Sequence, residues 1–173
     1  MFCGAIAFFF AAFLFAYFYL RSLDANNSWT IGKHVSPSGG LGVTVMSCYL
    51  LSGLLLWLGV RRPLDQISTG VVAILLAICG VVFQFIEYST LGFGPASGGY
   101  ASVFFGWTAT YAASALFGIY WMETQIAAIW RSRRPGAEEV DGELLQAGLD
   151  ACSICWTFFV GIGVIMFVVL YII

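Results

Sequence analysis

Five stretches of the chain, roughly 2–20, 41–60, 68–88, 100–130 and 151–173, are mostly apolar, and the only charges embedded in them are Glu87 and Glu123. A helix needs about 20 such residues to cross the hydrocarbon core of a bilayer. Hydrocarbon offers no hydrogen-bond partner to a free backbone N–H or C=O, so runs of this length are expected to be helical. The expected fold is therefore all-α: a polytopic membrane helix bundle of five transmembrane helices, forming a single membrane domain over 1–173. Composition agrees, since 61% of the 173 residues are hydrophobic and 9% are charged, against roughly 25% charged in soluble domains. A net charge of −2 gives no basic surface for nucleic acid, and none is expected as a partner.

The opening "MFCGAIAFFFAAFLFAYFYL" has neither a basic n-region nor a small-residue cleavage site, and reads as a retained span. The connectors 21–40, 61–67, 89–99 and 131–150 carry the Gly, Pro, Asn and Ser of turns. Arg61, Arg62, Arg131, Arg133 and Arg134 follow spans two and four, whereas only Arg21 and Lys33 follow span one and no base follows span three. The positive-inside rule then puts the N-terminus in the cytoplasm and the C-terminus outside. The run "EEVDGE" at 138–143 reads as a solvated cytoplasmic face, and span four is long enough to tilt or project beyond the bilayer.

Membrane helices associate through small residues that let backbones approach. Gly106, Thr110, Ser114 and Gly118 recur at every fourth position of span four, which lines one ridge of a helix. Gly161 and Gly163 offer a second close approach on span five.

The inventory for chemistry is thin. His34 is the sole histidine and lies in a connector, so this chain cannot supply two imidazoles to a haem. Cys152 and Cys155 form a C-x-x-C, but no second ligand pair accompanies them, and packing is the expected role. No phosphate-binding, nucleophile-elbow or zinc-protease motif occurs. No catalytic, cofactor-binding or metal-ligating residues are expected. Glu87 and Glu123 remain, because an ionisable group inside a membrane helix is costly and is a functional candidate by default. Counted from the arginine-flanked ends at 1.5 Å per residue, Glu87 falls near the outer interface, where water could reach it, and Glu123 just inside the cytoplasmic half. They sit near opposite faces, with an interfacial or polar-partnered structural role as the plain alternative.

The stretch "FQFIEYSTLGFGPASGGYASVFFGWTATYAASALFG" resembles subunit III of the haem-copper (cytochrome c or quinol) terminal oxidases. In that family a G-Q-x-x-E-Y motif ends one span and a Gly/Ser-rich loop leads into Y-x-S-x-F-[FY]-x-x-T-G. Gln84, Glu87, Tyr88, Tyr100, Ser102, Phe104, Phe105 and Thr108 fall at the matching positions. Upstream, "FFFAAFLFAYFYLRSLDANNSW" and, downstream, "SICWTFFVGIGVIMFVVLYII" resemble flanking family helices, so the resemblance covers nearly the whole chain, as a divergent five-helix form without two N-terminal helices. It departs at the family's H-G-L-H, here Tyr111, Ala112, Ala113 and Ser114. It departs again after Trp156, where His and Asp become Thr157 and Val160, and near Ile6, where the family carries a membrane glutamate.

The resemblance implies a non-catalytic accessory subunit of a respiratory oxidase in a bacterial inner membrane. Such a subunit would pack on catalytic subunit I and hold phospholipids in a cleft, with haem and copper in the partner subunits and none in this chain. It implies that Gln84, Glu87, Tyr88 and Trp156 form structural, lipid-facing or polar-cluster positions. Only Gln84 shares the helical face of Glu87 by i, i+3 spacing, which leaves Tyr88 as an interfacial anchor. The alternatives are a subunit III-like protein accompanying nitric oxide reductase, a small transporter or channel lined by Glu87 and Glu123, and an assembly factor of another membrane complex.

Overall fold

The structure is a computed structural model that describes residues 2–24, 29, 37–61, 65–135 and 141–173. Lys33, His34, Arg62 and residues 138–140 of the acidic run lie outside the described residues. Five helices follow in order: α1 (Phe2–Ser22), α2 (Gly39–Arg61), α3 (Gln66–Thr90), α4 (Gly99–Ser132) and α5 (Gly142–Tyr171). All five are long and apolar enough to cross a membrane, and no strand occurs among the described residues. The fold is thus the all-α membrane bundle expected from the apolar runs.

Four helices close a ring in which α2 packs on α3 and α5, and α4 packs on α3 and α5; α1 lies outside it, against α4 and α5. Neighbours in the ring are antiparallel. Ser52 of α2 donates to Ala73 O of α3 at 2.7 Å, and Tyr100 at the start of α4 donates to Leu170 O near the end of α5 at 2.6 Å. α1 runs parallel to α5, for Cys3 Sγ lies 3.4 Å from Cys155 Sγ at one end and Arg21 donates to Ile173 O at the other.

The core is aromatic where α1 meets the ring. Phe13 stacks on Trp107 at 6.2 Å and Phe10 meets Tyr111 and Phe159 edge-on. Outward, Phe8, Phe15, Leu75, Phe85, Tyr120 and Ile154 are each more than half exposed. An apolar surface of this kind, spread over every helix, suits hydrocarbon and would be an aggregation liability in water. Arginines cap it where the lipid gives way to water: Arg61 lies over Trp57 at 5.2 Å and Arg134 over Trp130 at 3.9 Å. The chain is an integral membrane protein.

The largest departure from the expected spans is α5, which begins at Gly142 rather than near 151. Hydropathy registers where a helix becomes apolar, not where hydrogen bonding starts. Here Asp141 Oδ1 accepts from Glu143 N at 2.9 Å and so caps the helix. Buried Leu149 and a bond from Gln66 Nε2 to Gln146 Oε1 at 2.9 Å then hold the polar first turns against the bundle. The end of the "EEVDGE" run is therefore a helix start, with Asp141 as its cap.

Candidate functional site

Gln84 and Glu87 are one helical turn apart on α3, and the spacing puts both on the face turned into the ring. Gln84 Nε2 donates to Glu87 Oε2 at 3.0 Å. The other donor is Tyr171, the last residue of α5, whose hydroxyl lies 2.9 Å from Glu87 Oε1 and 2.8 Å from Oε2. Gly42 of α2 makes this reach possible: a Cβ there would sit 2.5 Å from Tyr171 Cε1, so the absence of a side chain lets the ring lie flat on α2. Glu87 is 0% exposed and Gln84 2%. Position along the span suggested a carboxylate that water could reach; three packed helices seal it instead. Arg133–Asp65 is the ion pair found among the described residues, and Glu87 is held by neutral donors.

Tyr88 points elsewhere. Its hydroxyl donates to Thr108 Oγ1 of α4 at 2.7 Å, and Thr108 donates onward to Phe104 O at 2.6 Å. Where spacing suggested an interfacial anchor, the half-buried ring instead spends its polar atom on a bond between helices. Trp156 is also separate from the Glu87 cluster: its Nε1 donates to Ser52 Oγ at 3.1 Å, which itself donates to Ala73 O. That relay ties α5, α2 and α3 together. Of the four residues grouped from the sequence, Gln84 and Glu87 are brought together, while Tyr88 and Trp156 form two further inter-helix links.

The small-residue ridge of α4 is divided between two neighbours. A Cβ on Gly106 would meet Phe13 of α1 at 3.4 Å, and one on Gly118 would meet Trp156 of α5 at 2.5 Å. Where α1, α4 and α5 meet, an apolar cleft of about 450 Å³ is lined by Ile6, Phe9, Thr110, Ser114, Phe117 and Trp156 among others. Cys152 and Cys155 also border the cleft and are free thiols. On α5, Gly163 meets the Tyr111 hydroxyl whereas Gly161 has open space beside it. Glu123 is exposed on α4 while Glu87 is enclosed by the ring, so the two carboxylates do not face a common site. No cluster of three or more His, Cys, Asp or Glu able to hold a metal ion occurs among the described residues.

Two contributors escaped sequence reasoning. Tyr171, in the tail "FVVLYII", reads as one more interfacial aromatic, and Ser52 is one of several hydroxyls scattered through the apolar run 41–60. Tyr171 finds its partner only where α5 closes on α3, and Ser52 finds its partners where α2 packs on α3 and α5.

No protein-family model matches the chain. Over 99 residues it is 34% identical to the cytochrome c oxidase subunit 3 of Thermostichus vulcanus, a match covering 56% of this chain and 46% of that protein. The match thus spans less than half the length of that relative. It supports a subunit III-like relationship for the chain.

Proposed function

We propose that the chain is an accessory subunit of a respiratory haem-copper oxidase, without catalytic groups of its own, that packs against the catalytic subunit I. The observation that carries this reading is the coincidence of two things. The match to a cytochrome c oxidase subunit 3 is joined by the Q-x-x-E-Y residues, of which Glu87 and Tyr88 tie α3 to α5 and α4 while Gln84 holds the Glu87 carboxylate from within α3. A rigid, lipid-facing bundle is what such a subunit contributes: a fixed surface for its neighbours. In this reading haem and copper belong to the partner subunits. The N-terminus is cytoplasmic and the C-terminus external, in a bacterial inner membrane, with Arg61, Arg131, Arg133 and Arg134 on the cytoplasmic side.

The proposal extends to lipid. The cleft between α1, α4 and α5 is walled by rings and aliphatic groups, and its lining residues Phe9 and Phe117 are more than half exposed on the apolar outer surface, so it suits an acyl chain of a phospholipid. Affinity purification from native membranes in a mild detergent tests the assignment. Co-elution with a haem protein showing an oxidase spectrum is the expected result; recovery with no haem protein overturns it, and a nitric oxide reductase spectrum would move the chain to that complex.

A further inference from the structure

Tyr49 of α2 is 1% exposed, and its hydroxyl has no hydrogen-bond partner among the described residues. The ring cannot swing to find one. It is wedged edge-on against Tyr111 at 5.4 Å and against Trp156 at 6.2 Å, and a Cβ on Gly80 of α3 would already touch it at 3.1 Å. A buried hydroxyl left unpaired loses its hydration without return, so such groups are rare in native interiors.

Tyr49 borders a small void of about 10 Å³ at the centre of the four-helix ring, shared with Gln84, Tyr111 and Tyr171. A single water needs roughly 10–15 Å³ of such volume and two to four polar partners. The void has the lower end of that volume, and Gln84, Tyr111 and Tyr171 on its lining carry acceptor atoms. Tyr171 already directs its hydroxyl to Glu87, and Tyr111 directs its own to Phe159 O at 3.4 Å, so each keeps an oxygen lone pair for accepting. Gln84 uses Nε2 on Glu87 and has its amide oxygen as a further acceptor.

We infer that this void is a binding site for one ordered water molecule, which accepts from the Tyr49 hydroxyl, donates to Gln84 and to a neighbouring tyrosine oxygen, and makes Tyr49 a member of the Glu87 cluster. The polar cluster then draws on all four helices of the ring: Tyr49 from α2, Gln84 and Glu87 from α3, Tyr111 from α4 and Tyr171 from α5.

The test uses the full chain purified in detergent, in wild-type form and as Tyr49→Phe. At a resolution that resolves waters, the expected result is one density peak within hydrogen-bond reach of Tyr49 Oη and Gln84, together with a lower melting temperature for Tyr49→Phe, because that variant takes a partner from the water. A dry void beside an unpaired hydroxyl overturns the inference. So does a Tyr49→Phe chain that melts at the same temperature or higher, since deleting an unpaired buried hydroxyl removes a penalty rather than a bond.

Discussion

Glu87 is a carboxylate enclosed on all sides without a cation, and its partners are an amide one turn away and a phenol from the far end of the chain. Removing it strands both donors. Glu87→Ala is expected to destabilise the purified chain by about 1–2 kcal/mol, in the range of hydrogen bonds between membrane helices, and Glu87→Gln by clearly less, because the amide keeps an acceptor oxygen for Tyr171. Equal losses in detergent unfolding would show that the carboxyl's bonds carry no stability. Gly42 makes a sharper case. Gly42→Ala puts a methyl where the Tyr171 ring lies, so it should displace that ring from Glu87 and reproduce the loss of Tyr171→Phe; additive losses in the double variant would refute that shared route. The i, i+3 pairing of Gln84 and Glu87 was legible in the sequence because it is local. Tyr171 and Gly42 were not, since 129 positions separate them and only the closing of α5 onto α2 makes them neighbours.

At the scale of elements, the start of α3 is fastened by one residue in three ways. Asp65 caps the helix, accepting from Ile67 N and Ser68 N at 3.4 and 3.2 Å, takes the Ser68 hydroxyl at 2.6 Å, and pairs with Arg133 from the end of α4 at 3.0 Å. The Ser68 hydroxyl bond and the Arg133 guanidinium hold its carboxyl down at about 2, against about 3.9 for an unperturbed aspartate. A pKa lowered by folding means that the contribution is fully present above the unfolded value and is lost as pH falls through the folded one. The protection factors of the Ile67 and Ser68 amides, exchange rates relative to the unstructured chain at the same pH, should therefore hold down to about pH 4 and fall towards about pH 2. Asp65→Asn should flatten that dependence; an unchanged profile would sink the assignment. The existence and order of the helices could be read from apolar length alone. The early start of α5 could not, because its first turns are polar and are held in place by Leu149 and Gln146 against other helices.

For the whole molecule, four helices close the ring and α1 packs on its outside through an aromatic seam, with the cleft between α1, α4 and α5. Filling that cleft is the test of what it holds. Ser114→Phe is expected to keep the ring intact and to reduce co-purified phospholipid measured by lipid mass spectrometry; undiminished lipid would detach the cleft from lipid binding. The spacing of Gly106, Thr110, Ser114 and Gly118 pointed to one contact ridge, yet the ridge serves two helices and a cleft, because which neighbour occupies each turn depends on where α1 and α5 pass along α4. By itself the sequence determined that the chain crosses the membrane in five helices, since the solvation of backbone groups in hydrocarbon leaves apolar runs no other fold. It also placed an amide beside a carboxylate, since helical period is a local property. The tertiary structure alone decided that Glu87 is sealed from water, that Tyr88 and Trp156 bind elsewhere, and that Tyr49 faces a void. Burial and pairing of polar groups depend on residues distant in the chain, and no local pattern encodes their meeting.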